Sequence, residues 1–138
     1  AYLAVTTQFD ILPILFSCIV LFWVSGFDII YALQDENFDK QFNLHSIPVL
    51  LGQKNALRFS RLMHIIAGAI ILFIGINYFT TSTLFWTATT LFIGLLINQH
   101  RLVKPDDLSK INLAFFTNNG IASLIFGSLI VIELITNN

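Results

Sequence analysis

The sequence predicts an all-α fold, a polytopic transmembrane helix bundle with about four spans. Two observations support this prediction. Hydrophobic residues make up 56% of the 138 residues and charged residues only 11%, whereas soluble domains contain about 25% charged residues. Four apolar segments also follow one another along the chain, and a helix needs ~20 apolar residues to cross a bilayer core of ~30 Å. We interpret residues 1–138 as a single transmembrane domain.

The first apolar segment covers residues 11–27 and is expected to continue as a helix toward Gln34. The second covers residues 62–79 and the fourth covers residues 111–135. The third, residues 84–98, is short for a span and needs neighbouring threonines or Gln99 to reach the required length.

Basic residues are confined to two of the three connections between these segments. All seven lysines and arginines lie in residues 35–61 and 100–110, whereas the connection around residues 77–83 carries no charge. With four spans, the first and third connections share one side of the membrane. The positive-inside bias predicts that this side is cytoplasmic and that both termini lie opposite.

Smaller features refine this picture. Pro48 and Gly52 are expected to divide the first connection into pieces, and glycines within the spans are expected to allow close helix packing. The net charge of −1 and the lack of a basic run give no indication of nucleic-acid binding. The chain begins with Ala1 rather than Met, so we expect a longer parent protein.

The most informative pattern is acidic. Asp28, Tyr31 and Asp35 are spaced i, i+3 and i+7, which places them on one stripe of a helix. Asp39 follows Asp35 by one turn if the helix continues. Like charges at this spacing destabilise a helix by ~0.2–0.5 kcal/mol, and a divalent cation between them would reverse that sign.

Two interpretations of these acids stay open from spacing alone. Asp35, Glu36 and Asp39 form either a solvated helix end at the membrane surface or a cation site. Asp28 favours a site, because it lies inside the apolar run, where a lipid-facing carboxylate costs at least ~2.5–3.5 kcal/mol. Oxygen ligands of this kind suit Mg²⁺, which binds one or two carboxylates together with substrate phosphates.

These residues also carry a family resemblance. The stretch from Gly26 to Gly52, with its Asp28-x-x-Tyr31-Ala-x-x-Asp35-x-x-x-Asp39 core and the following Leu44-His-Ser-Ile-Pro, resembles the intramembrane aromatic prenyltransferases. The closest likeness is to the 4-hydroxybenzoate polyprenyltransferases and their relatives in ubiquinone and menaquinone synthesis. Residues 102–109 and 112–120 are similar to the C-terminal spans of bacterial members.

The resemblance implies transfer of a polyprenyl group from polyprenyl diphosphate to an aromatic acceptor such as 4-hydroxybenzoate, with Mg²⁺ as cofactor. Asp35 and Asp39 match a metal-binding motif, and Asp28 and Tyr31 match the catalytic positions just before it. An earlier aspartate-rich motif of the family is absent here. This absence implies that the missing N-terminal half of the same chain is needed for activity.

Lys40, His45 and Ser46 are the predicted substrate-binding residues, with Lys40 as a point charge for diphosphate. For Lys40 the alternative is ordinary inside-facing charge, and for Tyr31 it is an interfacial aromatic side chain with a wet hydroxyl. For His45 and Ser46, contact with the donor, with the acceptor or with the loop backbone stays open, and a lone histidine is more often structural. The expected location is the bacterial inner membrane, with the active site on the cytoplasmic side.

Two other functional classes compete with this interpretation. One is a transporter or proton-relay fragment in which Asp28 and Glu133 titrate within the membrane. The other is a non-catalytic assembly subunit, which would tolerate loss of the aspartates but keep its packing glycines.

Overall fold

The computed structural model describes residues 2–105 and 107–136 as a bundle of antiparallel helices. The elements are, in chain order, α1 (Tyr2–Thr6), α2 (Ile11–Ala32), a 3₁₀ turn (Leu33–Asp35), α3 (Glu36–Gln41), α4 (Ile47–Leu51), α5 (Gln53–Tyr78), α6 (Thr83–Leu102), a π-helix (Leu113–Asn118) and α7 (Asn119–Thr136). The predicted all-α membrane fold is confirmed.

Three helical stretches are long and apolar enough to cross a membrane: Ile11–Gln41, Gln53–Tyr78 and Leu113–Thr136. Helix α6 is the remaining predicted span. Its 20 residues give a length of about 30 Å, but its threonines and its polar end, Asn98–Arg101, make it less apolar than the others. The connection between α5 and α6 is short, so α6 runs back beside α5 in the opposite direction.

Local chemistry explains the boundaries of these helices. The side chain of Asp10 accepts a hydrogen bond from the Leu12 backbone N–H at 2.9 Å and caps α2. Ser82 caps α6 in the same way, through the N–H of Phe85. Gly52 separates α4 from α5 with a φ of 73°, a conformation that favours glycine. Pro48 and Gly52 therefore divide the first connection as predicted.

Helix α5 begins nine residues before the predicted apolar segment. Lys54, Arg58 and Arg61 precede the apolar run, but they are good helix formers, so the helix begins before that run. A second departure lies at the start of the last span, where six residues form a π-helix instead of a regular α-helix.

The buried side chains form two clusters. One joins the 3₁₀ turn after α2 at Leu33, the first part of α5 at Leu57 and the segment after α6 at Val103. The other fills the rest of the bundle, where Trp23, Phe92 and Phe126 pack together. The first cluster brings both basic connections to one end of the bundle, which we call the basic end. Its defining residues are Lys54, Arg58, Arg61, Arg101 and Lys104.

The packing role predicted for the span glycines holds for two of the described positions. A Cβ on Gly26 would collide with His64, and one on Gly75 would collide with Phe85 and Trp86. By contrast, a Cβ at four others would meet nothing within 4 Å, namely Gly68, Gly94, Gly120 and Gly127. For those four, the structure gives no packing role.

Candidate functional site

The carboxylate of Asp28 lies on the open side of α2. Its neighbours Ile29 and Ile30 are buried against the rest of the bundle, whereas Asp28 is exposed. Nothing in the part of the chain described here hydrogen-bonds or pairs with its side chain. Because a carboxylate this far into an apolar helix is costly against lipid, this side of α2 must face a polar space or further protein.

The rotation of α2 that exposes Asp28 is set by contacts with α5. The Ser60 hydroxyl donates to the Gly26 carbonyl oxygen at 2.6 Å, and the ring of His64 packs directly against Gly26. Successive helix residues are about 100° apart, so Asp28 lies about 200° around α2 from Gly26. Gly26 therefore faces α5 while Asp28 faces away from it.

His64 belongs to a buried polar chain that links three helices. Its Nε2 lies 3.2 Å from the Trp23 carbonyl oxygen, and its Nδ1 lies 2.8 Å from Nε2 of His100. A carbonyl oxygen only accepts, so Nε2 of His64 is the donor. In the neutral imidazole Nδ1 then accepts from His100. This chain ties α2, α5 and α6 together.

Asp35 and Asp39 lie on a continuous helical path beyond α2. Asp35 ends the 3₁₀ turn and Asp39 lies on α3, so the predicted one-turn spacing between them is present. Asp35 is exposed and Asp39 half-buried. Neither carboxylate has a hydrogen-bond or ion-pair partner among the residues the structure describes, which leaves their oxygens available to a cation.

This donor set fits Mg²⁺ better than it fits a metal held by protein alone. Across residues 2–105 and 107–136, no three His, Cys, Asp or Glu side chains lie close enough together to hold a metal. Two acidic side chains one turn apart suffice for Mg²⁺, which keeps several waters and takes further oxygens from substrate phosphates. Asp35 and Asp39 are the residues that would hold it.

Between these two aspartates lies an ion pair that the sequence analysis did not predict. Glu36 is only 5% exposed, and its Oε1 lies 2.6 Å from Nζ of Lys40. The Lys40 side chain keeps 54% of its surface exposed. Lys40 thus neutralises a buried carboxylate and still presents its ammonium group to the outside. Its predicted role toward diphosphate stays a prediction.

The loop after α3 folds back onto the aspartate motif. The backbone N–H of Leu44 donates to the Asp39 carbonyl oxygen at 2.8 Å, which holds the start of this loop beside α3. His45 is exposed and Ser46 is half-buried. The Ser46 hydroxyl is buried without a hydrogen-bond partner in the described structure. The structure therefore places both predicted residues in the loop that returns to Asp39, without testing their role.

Tyr31 has aromatic neighbours that its sequence position did not reveal. Its ring lies 4.2 Å from the ring of Phe115, at an interplanar angle of 31°. The ring of Phe116 lies 6.4 Å away, edge-on, and Phe27 also contacts Phe115. Phe115 and Phe116 belong to the π-helix, a distortion often found at functional sites. Phe27 and Tyr31 of α2 therefore form an aromatic cluster with Phe115, close in sequence to Asp28.

Comparison with known proteins identifies the family. The model of the UbiA prenyltransferase family matches residues 1–120. The chain belongs to the UbiA prenyltransferase family. The match covers most of the chain, including the stretch 26–52 that contains every predicted site residue, and it confirms the resemblance seen in the sequence.

Among curated UbiA-family relatives, three 4-hydroxybenzoate octaprenyltransferases illustrate the similarity. The protein of Francisella tularensis subsp. novicida is 25% identical over 126 residues, covering 91% of this chain and 44% of that relative. The protein of Nitrosomonas europaea is 29% identical, covering 80% and 37%. The protein of Tolumonas auensis is 27% identical, covering 95% and 45%. No solved structure matches significantly.

The chain therefore spans less than half the length of the curated UbiA-family relatives it matches. Membership of a prenyltransferase family also weighs against the transporter interpretation. That interpretation paired Asp28 with Glu133, but Asp28 is exposed on α2 near the basic end, whereas Glu133 is buried on α7 near its last residue. The two carboxylates belong to different environments.

Proposed function

We propose that the complete protein transfers a polyprenyl group from polyprenyl diphosphate to an aromatic acceptor, such as 4-hydroxybenzoate, in quinone biosynthesis. The observation that carries this proposal is that the carboxylates of Asp28, Asp35 and Asp39 lie on one helical path without a hydrogen-bond or ion-pair partner among the described residues, in a chain of the UbiA family. The similarity to 4-hydroxybenzoate octaprenyltransferases supports the choice of acceptor.

We place the diphosphate of the donor at the aspartate motif, Asp35 and Asp39. Asp35 and Asp39 would hold Mg²⁺ through their carboxylate oxygens, and the ion would supply positive charge against the negative charge of the leaving diphosphate. Lys40 donates to a diphosphate oxygen as a compact point charge. Its pairing with Glu36 holds it one turn from the motif. His45 and Ser46 are assigned to substrate binding from the loop that returns to Asp39, with either the donor or the acceptor as their partner.

The polyprenyl chain extends from the motif along the open side of α2. The bond between the allylic carbon and the diphosphate oxygen breaks, and its electron pair leaves with the diphosphate. Tyr31 presents its ring to the allylic cation, a contact worth ~0.5–2 kcal/mol, and Phe115 supports that ring from behind. Asp28 lowers the energy of the nearby cation through its negative charge.

The aromatic acceptor then forms the new carbon–carbon bond. An electron-rich ring carbon attacks the allylic cation, and the ring loses one proton to restore aromaticity. The products are the prenylated acceptor, diphosphate and a proton, so atoms and charge balance. Water must be kept from this cation in the complete protein, because water would otherwise capture the cation as an alcohol.

We place the site at the cytoplasmic face of a bacterial inner membrane. The aspartate motif lies in the first basic connection, and both basic connections meet at one end of the bundle. The positive-inside bias assigns that end to the cytoplasm, where a water-soluble acceptor and Mg²⁺ are supplied.

The test uses membranes containing the complete protein, a polyprenyl diphosphate and labelled 4-hydroxybenzoate. We expect label to enter the lipid extract in the presence of Mg²⁺ and to stay in the aqueous phase when a chelator replaces it. Membranes lacking the protein provide the blank.

Two results would contradict parts of the proposal. Equal label transfer with chelator would exclude the Mg²⁺ requirement. Absence of label together with absence of diphosphate release from a panel of phenolic and naphthoate acceptors would exclude prenyl transfer itself. Diphosphate release with another acceptor would keep the reaction and correct the substrate.

A further inference from the structure

An apolar groove separates α5 from α6, away from the carboxylates. Its volume is about 580 Å³, within the range of ligand pockets. The walls are Ile65, Ala69 and Leu72 on α5 and Ile93 and Ile97 on α6. All described residues that line the groove belong to α5 and α6. The proposed prenyl-transfer site uses α2, the 3₁₀ turn, α3 with the loop after it, and the π-helix.

One end of the groove is strongly cationic. Arg61, His100 and Arg101 line it at the basic end, and the same three residues line a second, polar hollow of about 560 Å³ together with Lys54, Arg58 and Lys104. No acidic side chain lines either hollow in the described part of the chain. Neither Arg61 nor Arg101 forms an ion pair with a described residue.

The two histidines of the groove are held in place by hydrogen bonds. His64 and His100 both line it and are hydrogen-bonded to each other, with His64 anchored to the Trp23 carbonyl. Beyond the histidines, Gly68 leaves the groove open, because a Cβ there would meet nothing within 4 Å. The groove thus combines an apolar channel with unpaired positive charge at one end.

We propose that this groove binds an anionic membrane lipid, with an acyl chain between α5 and α6 and the phosphate between Arg61 and Arg101. The charge pattern supports an amphiphile with a net negative head, since the phosphate of a zwitterionic lipid is already offset by its own cation and attracts the two arginines less strongly. We place the arginines at the level of lipid headgroups, because they lie at the basic end and the apolar part of α5 begins directly after Arg61. Basic pockets between membrane helices on the positive side bind such headgroups.

The first experiment measures lipid retention in the complete protein. The protein is purified in mild detergent, exchanged into lipid-free detergent and titrated with phosphatidylglycerol or phosphatidylcholine, with bound lipid counted by native mass spectrometry. We expect preferential retention of phosphatidylglycerol. Each arginine removed in Arg61→Gln or Arg101→Gln should lower phosphatidylglycerol affinity about fivefold. The matched charge control is Lys110→Gln, which lies outside both hollows.

A second pair of variants tests the apolar channel without altering charge. Gly68→Leu fills the open groove, and we expect it to reduce the number of phosphatidylglycerol molecules retained. Gly94→Leu adds the same side chain at an equally open glycine on α6 that does not line the groove. It should leave lipid retention unchanged. Size-exclusion profiles of both variants confirm that each is folded.

The proposal is overturned if all variants retain phosphatidylglycerol as the wild type does, which would show that the retained lipid binds outside the groove. It is also overturned if polyprenyl diphosphate, but not phosphatidylcholine, displaces the bound lipid, since the groove would then be part of the donor site. Lipid counting requires no turnover, so its outcome is independent of the proposed prenyl transfer.

Discussion

The imidazole of His64 occupies the space beside Gly26 that any larger residue would need. Nε2 and Cδ2 of His64 are the atoms that an added Cβ would meet, and the same Nε2 reaches the Trp23 carbonyl one turn earlier. Together with the Ser60 bond to Gly26, this contact sets both the distance and the rotation between α2 and α5. The orientation of Asp28 depends on it.

We therefore expect Gly26→Ala to destabilise the protein by ~1–3 kcal/mol, because the methyl group overpacks a rigid, hydrogen-bonded ring. The thermal midpoint in detergent should fall, and transferase activity should fall with it as α2 rotates or shifts. Gly120→Ala is the matched control, since a Cβ there meets nothing within 4 Å. Equal midpoints for the two variants would show that His64 yields at little cost.

The two aspartates of the motif should be essential for turnover. Asp35→Asn and Asp39→Asn keep the shape of each side chain but remove its charge. We expect activity to fall by roughly 10²-fold or more, the loss typical of removing one electrostatic contact to a transition state. Raising Mg²⁺ should recover part of the loss.

Asp107→Asn controls for a general effect of surface charge. Asp107 is exposed in the other basic connection, where hydrogen bonds from Ser109 lower the pKa of its carboxyl group. The activity of the Asp107→Asn variant should match that of the wild type. Wild-type turnover in both motif variants would rule out Asp35 and Asp39 as the metal ligands.

Tyr31 allows its ring and its hydroxyl to be tested separately. If the ring faces a cation, Tyr31→Phe should retain most activity, whereas Tyr31→Leu should lose about 2- to 30-fold, the equivalent of a ~0.5–2 kcal/mol cation–π contact. Phe115→Leu should have a smaller effect, because it removes only the support behind the ring. A large loss in Tyr31→Phe would instead assign the function to the hydroxyl.

Lys40 has a structural partner, so its two possible roles must be separated. Lys40→Gln leaves the buried Glu36 carboxylate without its partner and should destabilise the protein by ~1.5–3 kcal/mol, as expected for a hydrogen bond to a charged group. The double variant Glu36→Gln, Lys40→Gln removes both charges and should recover most of this stability.

Kinetics of the same two variants report on the diphosphate. If Lys40 binds the donor, KM for polyprenyl diphosphate should rise in the single and in the double variant alike. An unchanged KM in the double variant, with stability restored, would assign Lys40 a purely structural role.

Much of the architecture could be predicted from local chemistry. The apolar runs and the positions of Pro48 and Gly52 predicted the helices. The confinement of basic residues to two connections predicted that those connections lie on the same side. The spacing of Asp28, Tyr31, Asp35 and Asp39 predicted a single helical path, which the 3₁₀ turn and α3 preserve. These features follow from the period of the helix and the thickness of the bilayer.

Other features were decided by tertiary contacts between residues far apart in sequence. His64 and His100 are separated by 36 positions, and neither carries a local signal that it meets the other. Phe115 lies opposite Tyr31 because the chain enters its last span as a π-helix. The apolar pattern of residues 111–135 suits either helix type, so the sequence alone did not distinguish them.

The sequence by itself determined the membrane class, the helical segments, the family and the carboxylates, since each depends on composition or on spacing within one element. Only the tertiary structure decided which side of α2 stays open, which ring supports Tyr31 and where an apolar groove meets unpaired arginines. The physical reason is that rotation and contact between helices depend on side-chain packing from several segments at once, which no single stretch of the chain encodes.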